Sequence, residues 1–127
     1  MKAGFLGIIL FVSLFSCAQN KSDRAVLGLS NAESELTSSL KDKSLHNVIN
    51  SKTTLVKDSI TAINIAEPIL FSVYGKDNII KQQPYDIYHI KKHWILSGTL
   101  PKGNLGGNFL IIIDDRNGAV IRITHGK

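Results

Sequence analysis

Two histidines four residues apart, His89 and His93, and two adjacent carboxylates, Asp114 and Asp115, are the side chains of this sequence best suited to chemistry. Imidazoles ligate transition metals, and on one uninterrupted strand a spacing of four puts both rings on the same face. Lys91-Lys92 reads as a tight turn between them. The turn either spoils that arrangement or sets the rings opposite each other on paired strands. Zinc needs three or four ligands in a tetrahedron, and no Cys or clustered carboxylate stands beside the pair in sequence. Solvent-facing strand histidines are therefore expected, not a metal site. Asp114 and Asp115 make a poor acid and base, because neighbours on a strand point to opposite faces, and turn chemistry accounts for Asp115. Gly103-Asn104-Leu105-Gly106-Gly107 is rich in glycine but opens a strand, so it lacks the helix N-terminus that cradles phosphate. The sequence contains no G-x-S-x-G, Walker loop or H-E-x-x-H. No catalytic residue, metal ligand, cofactor or small-molecule substrate is expected.

Composition narrows the setting in which such a chain works. It has 127 residues, 15 basic and 10 acidic, with a net charge of +5 and a single cysteine. That length holds one ordinary domain, and one Cys excludes an intramolecular disulfide scaffold. Lys2 is followed by fourteen uncharged residues, 3–16, most of them apolar. One positive charge before an apolar run of this length is the layout of a secretory signal peptide over residues 1–16. The run is too short for a membrane-spanning helix, which needs roughly 18–20 residues.

Leu14-Phe15-Ser16-Cys17 resembles the lipobox of bacterial lipoproteins: an aliphatic residue at minus three, a small one at minus one, then Cys. Phe15 is bulkier than the residue usual at minus two. The resemblance implies that Cys17 is lipidated and becomes the mature N-terminus. It also implies lipid anchoring to a membrane of the bacterial cell envelope, on its periplasmic or outer-membrane face. Several acyl chains, at about 0.8 kcal/mol per buried methylene, give a firm anchor.

Residues 17–57 read as a polar tether. Ten of the forty residues 18–57 are Ser or Thr, and none is aromatic. Ser30 and Glu33 have capping-box spacing, and Leu36, Leu40, Leu45, Val48 and Ile49 make a rough apolar stripe. Together they predict a helix over 31–49.

The compact domain is expected over 58–127. Asp58 suits the N-cap of a helix over Ser59–Tyr74 whose apolar face is Ile60, Ile63, Ala66, Leu70, Val73 and Tyr74, with Gly75 to end it. Pro68 interrupts that helix and predicts a kink. From Tyr85 the period becomes two. Strands are expected over 85–91, 93–100, 108–114 and 119–124, with a tight turn at Lys91-Lys92 and a hairpin at Asp115-Arg116-Asn117-Gly118. The expected fold class is α+β: one main helix packed on a four-stranded antiparallel meander.

Ala62-Ile63-x-Ile65-Ala66-Glu67, Tyr74-Gly75, Pro84-Tyr85, Trp94-x-x-x-Gly98-Thr99-Leu100-Pro101, Gly106-Gly107 and Ile123-Thr124-His125-Gly126-Lys127 resemble the NTF2-fold immunity protein domain of bacterial polymorphic toxin systems. The resemblance covers about residues 60–127. It implies a helix-backed curved sheet, here a reduced NTF2-like version, and a protein that binds and neutralises a cognate protein toxin without turnover. The helix, the antiparallel strands and the D-x-x-G hairpin are similar, more weakly, to short PepSY-type domains. That alternative implies an envelope module that inhibits a peptidase or acts as a scaffold.

The positive charge is thinly spread, and Lys91-Lys92 is the one dibasic pair of the domain. A solvated surface is expected, not nucleic-acid binding. An inhibitor of a basic nuclease offers an acidic face, which this chain does not. A toxin that acts in the envelope, or contact through shape and apolar surface, fits better. Tyr85, Tyr88 and Trp94 are the candidate partner-binding residues, because Tyr and Trp are enriched among interface anchors. Core packing is the competing role for each, and Tyr85 and Tyr88, three apart, point to opposite faces.

Overall fold

The computed structural model describes residues 24–126. The expected signal peptide, residues 1–16, and Cys17, the expected lipidation site, lie outside the described residues. The chain divides after Leu45 into two compact units.

The first unit contains helix α1, Gly28–Lys41, none of whose residues is buried. Its bounds differ from the expected 31–49. Ser30 and Glu33 lie inside it, and Leu27 occupies the N-cap without a side-chain bond. The helix stops at Lys41 because Asp42 turns its carboxylate onto the Ser44 N–H, 2.8 Å away. Further on, Asn47 Oδ1 accepts the Ile49 N–H and Asn50 Oδ1 the Lys52 N–H, at 2.9 and 2.8 Å. Short polar side chains that bond the backbone two residues on compete with helix. Three of them in ten residues end it despite the apolar stripe.

The second unit runs from His46 and contains helices α2, Ser59–Tyr74, and α3, Lys76–Ile80, and strands β1 Asp86–Ile90, β2 His93–Ser97, β3 Phe109–Asp114 and β4 Val120–His125. Asp58 caps α2: its Oδ1 accepts the Thr61 N–H at 2.7 Å. That bond holds the Asp58 carboxyl below the usual carboxylate range. Pro68 does not divide the helix. Gly75, at φ 85°, ends it and donates its N–H to the Phe71 carbonyl at 2.9 Å. α3 follows at once, and the sequence reading did not include it.

The strands form one antiparallel sheet in the order β1-β2-β3-β4, as the period-two pattern predicts. Lys91 and Lys92 make the two-residue turn between β1 and β2, both at positive φ, 47° and 66°. That backbone matches the right-handed twist of a hairpin. A bulge shifts the β3–β4 register between Ile112 and Ile113.

The core lies between α2 and one sheet face. Ala62, Ala66 and Leu70 meet Trp94, Leu96, Phe109, Ile111 and Ile113, with Ile79 from α3 and Val56 from the segment before α2. The buried line of α2 thus runs through 62, 66 and 70. Ile60 and Val73, expected on that face, are 69% and 55% exposed. Ile60 precedes Ala62 by two residues, which turns it about 200° around the helix. Val73 lies in the last turn, beyond Leu70, the last buried residue of the helix. The compact unit also begins earlier than Asp58. Leu55 and Val56 donate their N–H groups to the Asp115 carbonyl, each at 2.9 Å, and the Val56 side chain is buried.

Gln82 holds the far end of the core. Its Oε1 accepts the Phe109 N–H at 2.9 Å, and its Nε2 donates to the Asn78 carbonyl at 2.7 Å. Gly98 makes room for it, since a Cβ there would stand 2.0 Å from Gln82 Oε1.

Candidate functional site

The three aromatic candidates are placed very differently. Trp94 belongs to the core: it is buried, and its indole N–H donates to the Val56 carbonyl at 2.8 Å. This is the core-packing role that competed with partner binding for Trp94. A buried indole must find an acceptor, and the 46–57 segment supplies one. Tyr85 also faces the core side. Its ring meets Phe109 edge-on at 5.2 Å, and its hydroxyl donates to Glu67 Oε1 at 2.8 Å. Burial, and then the neighbouring Glu67 carboxylate, push the phenol up to about 12. Tyr88 points away from α2 and is 53% exposed.

The histidines part company at the turn. His89 pairs with Trp94, and His93 with Ile90. Residues 89 and 93 therefore sit on different strands and on opposite faces. His93 stays on the face away from α2, with Nδ1 2.7 Å from the Lys91 carbonyl. His89 is not simply solvent-facing, contrary to expectation. It lies on the helix side, stacked on Trp94 with centroids 4.6 Å apart, and its Nε2 is 2.8 Å from Asp115 Oδ2. Asp115 does more than form a turn: its side chain is 2% exposed, and its buried Oδ1 has no hydrogen-bond partner among the described residues. Sequence reasoning missed this pair. The signal was present in the register: the turn at 91–92 sets His89 against Trp94, Trp94 lies against Ile113, and Asp115 follows two residues on along the same face.

Asp114 lies on the opposite side from Asp115. Arg116 donates to it through its backbone N–H and Nε, both at 2.9 Å, and these bonds hold the Asp114 carboxyl well below the usual range. Adjacent in sequence, the two carboxylates serve separate partners on separate faces. Among the described residues, no three His, Cys, Asp or Glu side chains converge as a metal site.

Three cross-strand rows build the sheet face turned away from α2. Tyr88 lies against Ile95, Ile95 against Ile112, and Ile112 against Arg122. Asp86, Ser97, Leu110 and Thr124 form the row on one side, and Ile90, His93 and Asp114 the row on the other. Among the described residues of this unit no helix packs on that face, and Tyr88 and Ile90 are each 53% exposed. An apolar centre with an aromatic ring, rimmed by Asp86 and Arg122, has the composition of a protein-docking surface.

Two proteins of Escherichia coli K12 are similar to the chain. Uncharacterized protein YhhH is 32% identical over 74 residues, 58% of this chain and 58% of its own. Uncharacterized protein YbbC is 34% identical over 73 residues, 57% of this chain and 60% of its own. The chain thus matches less than two thirds of the length of these curated relatives. No solved structure matches. Residues 61–127, which run from the first turn of α2 through β4 and make up more than half of the chain, match the NTF2 fold immunity protein family model, and the chain belongs to that family.

Proposed function

We propose that this protein neutralises a cognate protein toxin by binding it through the sheet face of Tyr88, Ile90, Ile95, Leu110 and Ile112, without chemical turnover. Family membership supports a toxin as the partner. The observation that carries the docking face is the central row Tyr88–Ile95–Ile112–Arg122, on which no helix of the described residues of this unit packs, in a sheet whose other face is filled by α2. Tyr and Arg are the residue types that anchor interfaces, and here they sit at the two ends of one apolar row. His89 and Asp115 form a bonded pair, but among the described residues no hydroxyl or thiol is hydrogen-bonded to His89. Blocking by contact therefore fits the geometry better than catalysis.

We also propose that Cys17 carries the lipid and holds the domain in the bacterial cell envelope. The Leu14-Phe15-Ser16-Cys17 string behind an apolar leader supports this. The toxin it meets is then one that acts in, or passes through, the envelope.

The test has two parts. The chain is co-expressed with the toxin domain encoded beside it, and survival and complex formation are scored. Protection with a stable complex is expected, and neither protection nor a complex would sink the toxin-binding reading. Mass spectrometry of the membrane-extracted protein is expected to find an acylated Cys17 at the N-terminus. An intact Met1 or an unmodified Cys17 would remove the anchor.

A further inference from the structure

A concavity lies at the opposite end of α2 from Asp58, on the helix side of the sheet. Tyr74, Lys81, Gln82, Gly107, Phe109 and His125 surround a cavity of about 160 Å3. That is below the roughly 300–1,000 Å3 of a pocket for a drug-sized ligand, and it suits one small chemical group. Among the described residues the lining holds one ammonium, Lys81, beside the His125 imidazole, and no carboxylate. Lys81 Nζ is held by a neutral acceptor, Asn78 Oδ1 at 2.9 Å, which fixes its position without spending its charge. Asn78 is fixed in turn, its Nδ2 donating to the Tyr74 carbonyl at 2.8 Å. The His125 ring stands edge-on to Tyr74 with centroids 5.5 Å apart. Among the described residues, neither the Tyr74 hydroxyl nor a His125 ring nitrogen is engaged in a hydrogen bond. A neutral imidazole still carries one N–H donor.

These groups amount to one ammonium, two further donors and an aromatic wall over a Phe109 floor. We infer that this cavity binds the carboxylate of a small monoanionic group with an apolar body. One ammonium with neutral donors matches a single negative charge, whereas a phosphate dianion would meet an apolar floor with half its charge unpaired. A wider groove of about 560 Å3, formed under the 103–107 loop, shares Lys81, Gln82 and Gly107 with the cavity. A carboxylate on a longer chain, such as a glutamate of a peptide segment, therefore also has room to enter. The site stands on the helix side and does not depend on the docking face proposed above.

The test is an NMR titration of the isotope-labelled full chain with benzoate, benzamide, inorganic phosphate and an acetylated, amidated peptide containing one Glu. Saturable shifts at Gly107 and His125 are expected with benzoate or the Glu peptide, with dissociation constants on the order of 1 mM for so small a ligand. Saturation by benzoate alone assigns the site to free small carboxylates, and saturation by the peptide assigns it to carboxylates of a polypeptide. Lys81→Ala and His125→Ala, both at exposed residues, are each expected to weaken binding about tenfold while leaving the remaining spectrum unchanged. Equal shifts with benzamide, preferential binding of phosphate, or binding that survives Lys81→Ala would overturn the inference.

Discussion

His89 Nε2 lies 2.8 Å from Asp115 Oδ2, which ties a half-exposed imidazole on the edge strand to a carboxylate that is 2% exposed. The contact closes one end of the sheet. Trp94 lies under the imidazole and bonds Val56, while the Asp115 backbone carbonyl holds the N–H groups of Leu55 and Val56. The segment before α2, the edge strand and the β3–β4 turn thus converge on two residues.

Removing the imidazole leaves a buried carboxylate with neither oxygen paired, which is costlier than losing the bond itself. His89→Ala is expected to destabilise the fold by about 2 kcal/mol. Adding Asp115→Asn, which removes the buried charge, should restore at least half of that. Urea unfolding of the two variants decides the matter. A neutral His89→Ala, or no rescue by the second substitution, contradicts the assignment.

Gly98 tolerates no side chain because Gln82 fills the space beside it. Gly98→Ala must expel the Gln82 side chain, break its bonds to Phe109 and Asn78, and open the core between α3 and β3. A loss of about 2–4 kcal/mol is expected. Thermal unfolding measures it, and a variant as stable as the parent would show that Gln82 does not hold this end.

Lys91 and Lys92 both occupy the left-handed region, where side chains other than Gly and Asn are strained. Replacing the pair by Asn-Gly keeps the turn and relieves that strain. A gain of about 1 kcal/mol in unfolding free energy is expected. Equal or lower stability would mean that the lysines adopt another turn.

Tyr85 has a folded-state value near 12 against an ordinary 10.0, because burial and Glu67 both disfavour the phenolate. The stability that follows from keeping it neutral is fully present below pH 10 and is lost as pH rises toward 12. Of the three tyrosines, one should ionise near pH 12 in an ultraviolet titration, and Tyr85→Phe should abolish that step. Complete ionisation of all three below pH 11 would place Tyr85 in solvent.

Much of this fold was legible in the sequence where the local signal and the tertiary structure agree. Asp58 and Gly75 bracket α2 because capping is chemistry within one turn of helix, and the meander follows from period two with two turn signals. What stayed hidden depends on contacts far apart in the chain. Ala62 is buried and Ile60 exposed because the sheet selects the face of α2. Val56 joins the core through the Asp115 carbonyl, although its own neighbourhood is polar. The failed helix beyond Lys41 is a different case. There the apolar stripe was real, but Asp42, Asn47 and Asn50 bonded the backbone more effectively than a helix could. Tyr88 is a site candidate from residue type alone, whereas only the register sets Ile90, Ile95 and Ile112 on the same face beside it.

If the proposed sheet face of Tyr88 and Ile90 holds the toxin, calorimetric titration of the neighbouring toxin domain into Tyr88→Asp/Ile90→Asp reads it most directly. Both residues are more than half exposed, so the unfolding midpoint should stay put while affinity falls by about 100-fold or more. Ile60→Asp, on the exposed side of α2, should bind as the parent does. Undiminished affinity in the double variant, or a loss caused by Ile60→Asp instead, would contradict the account.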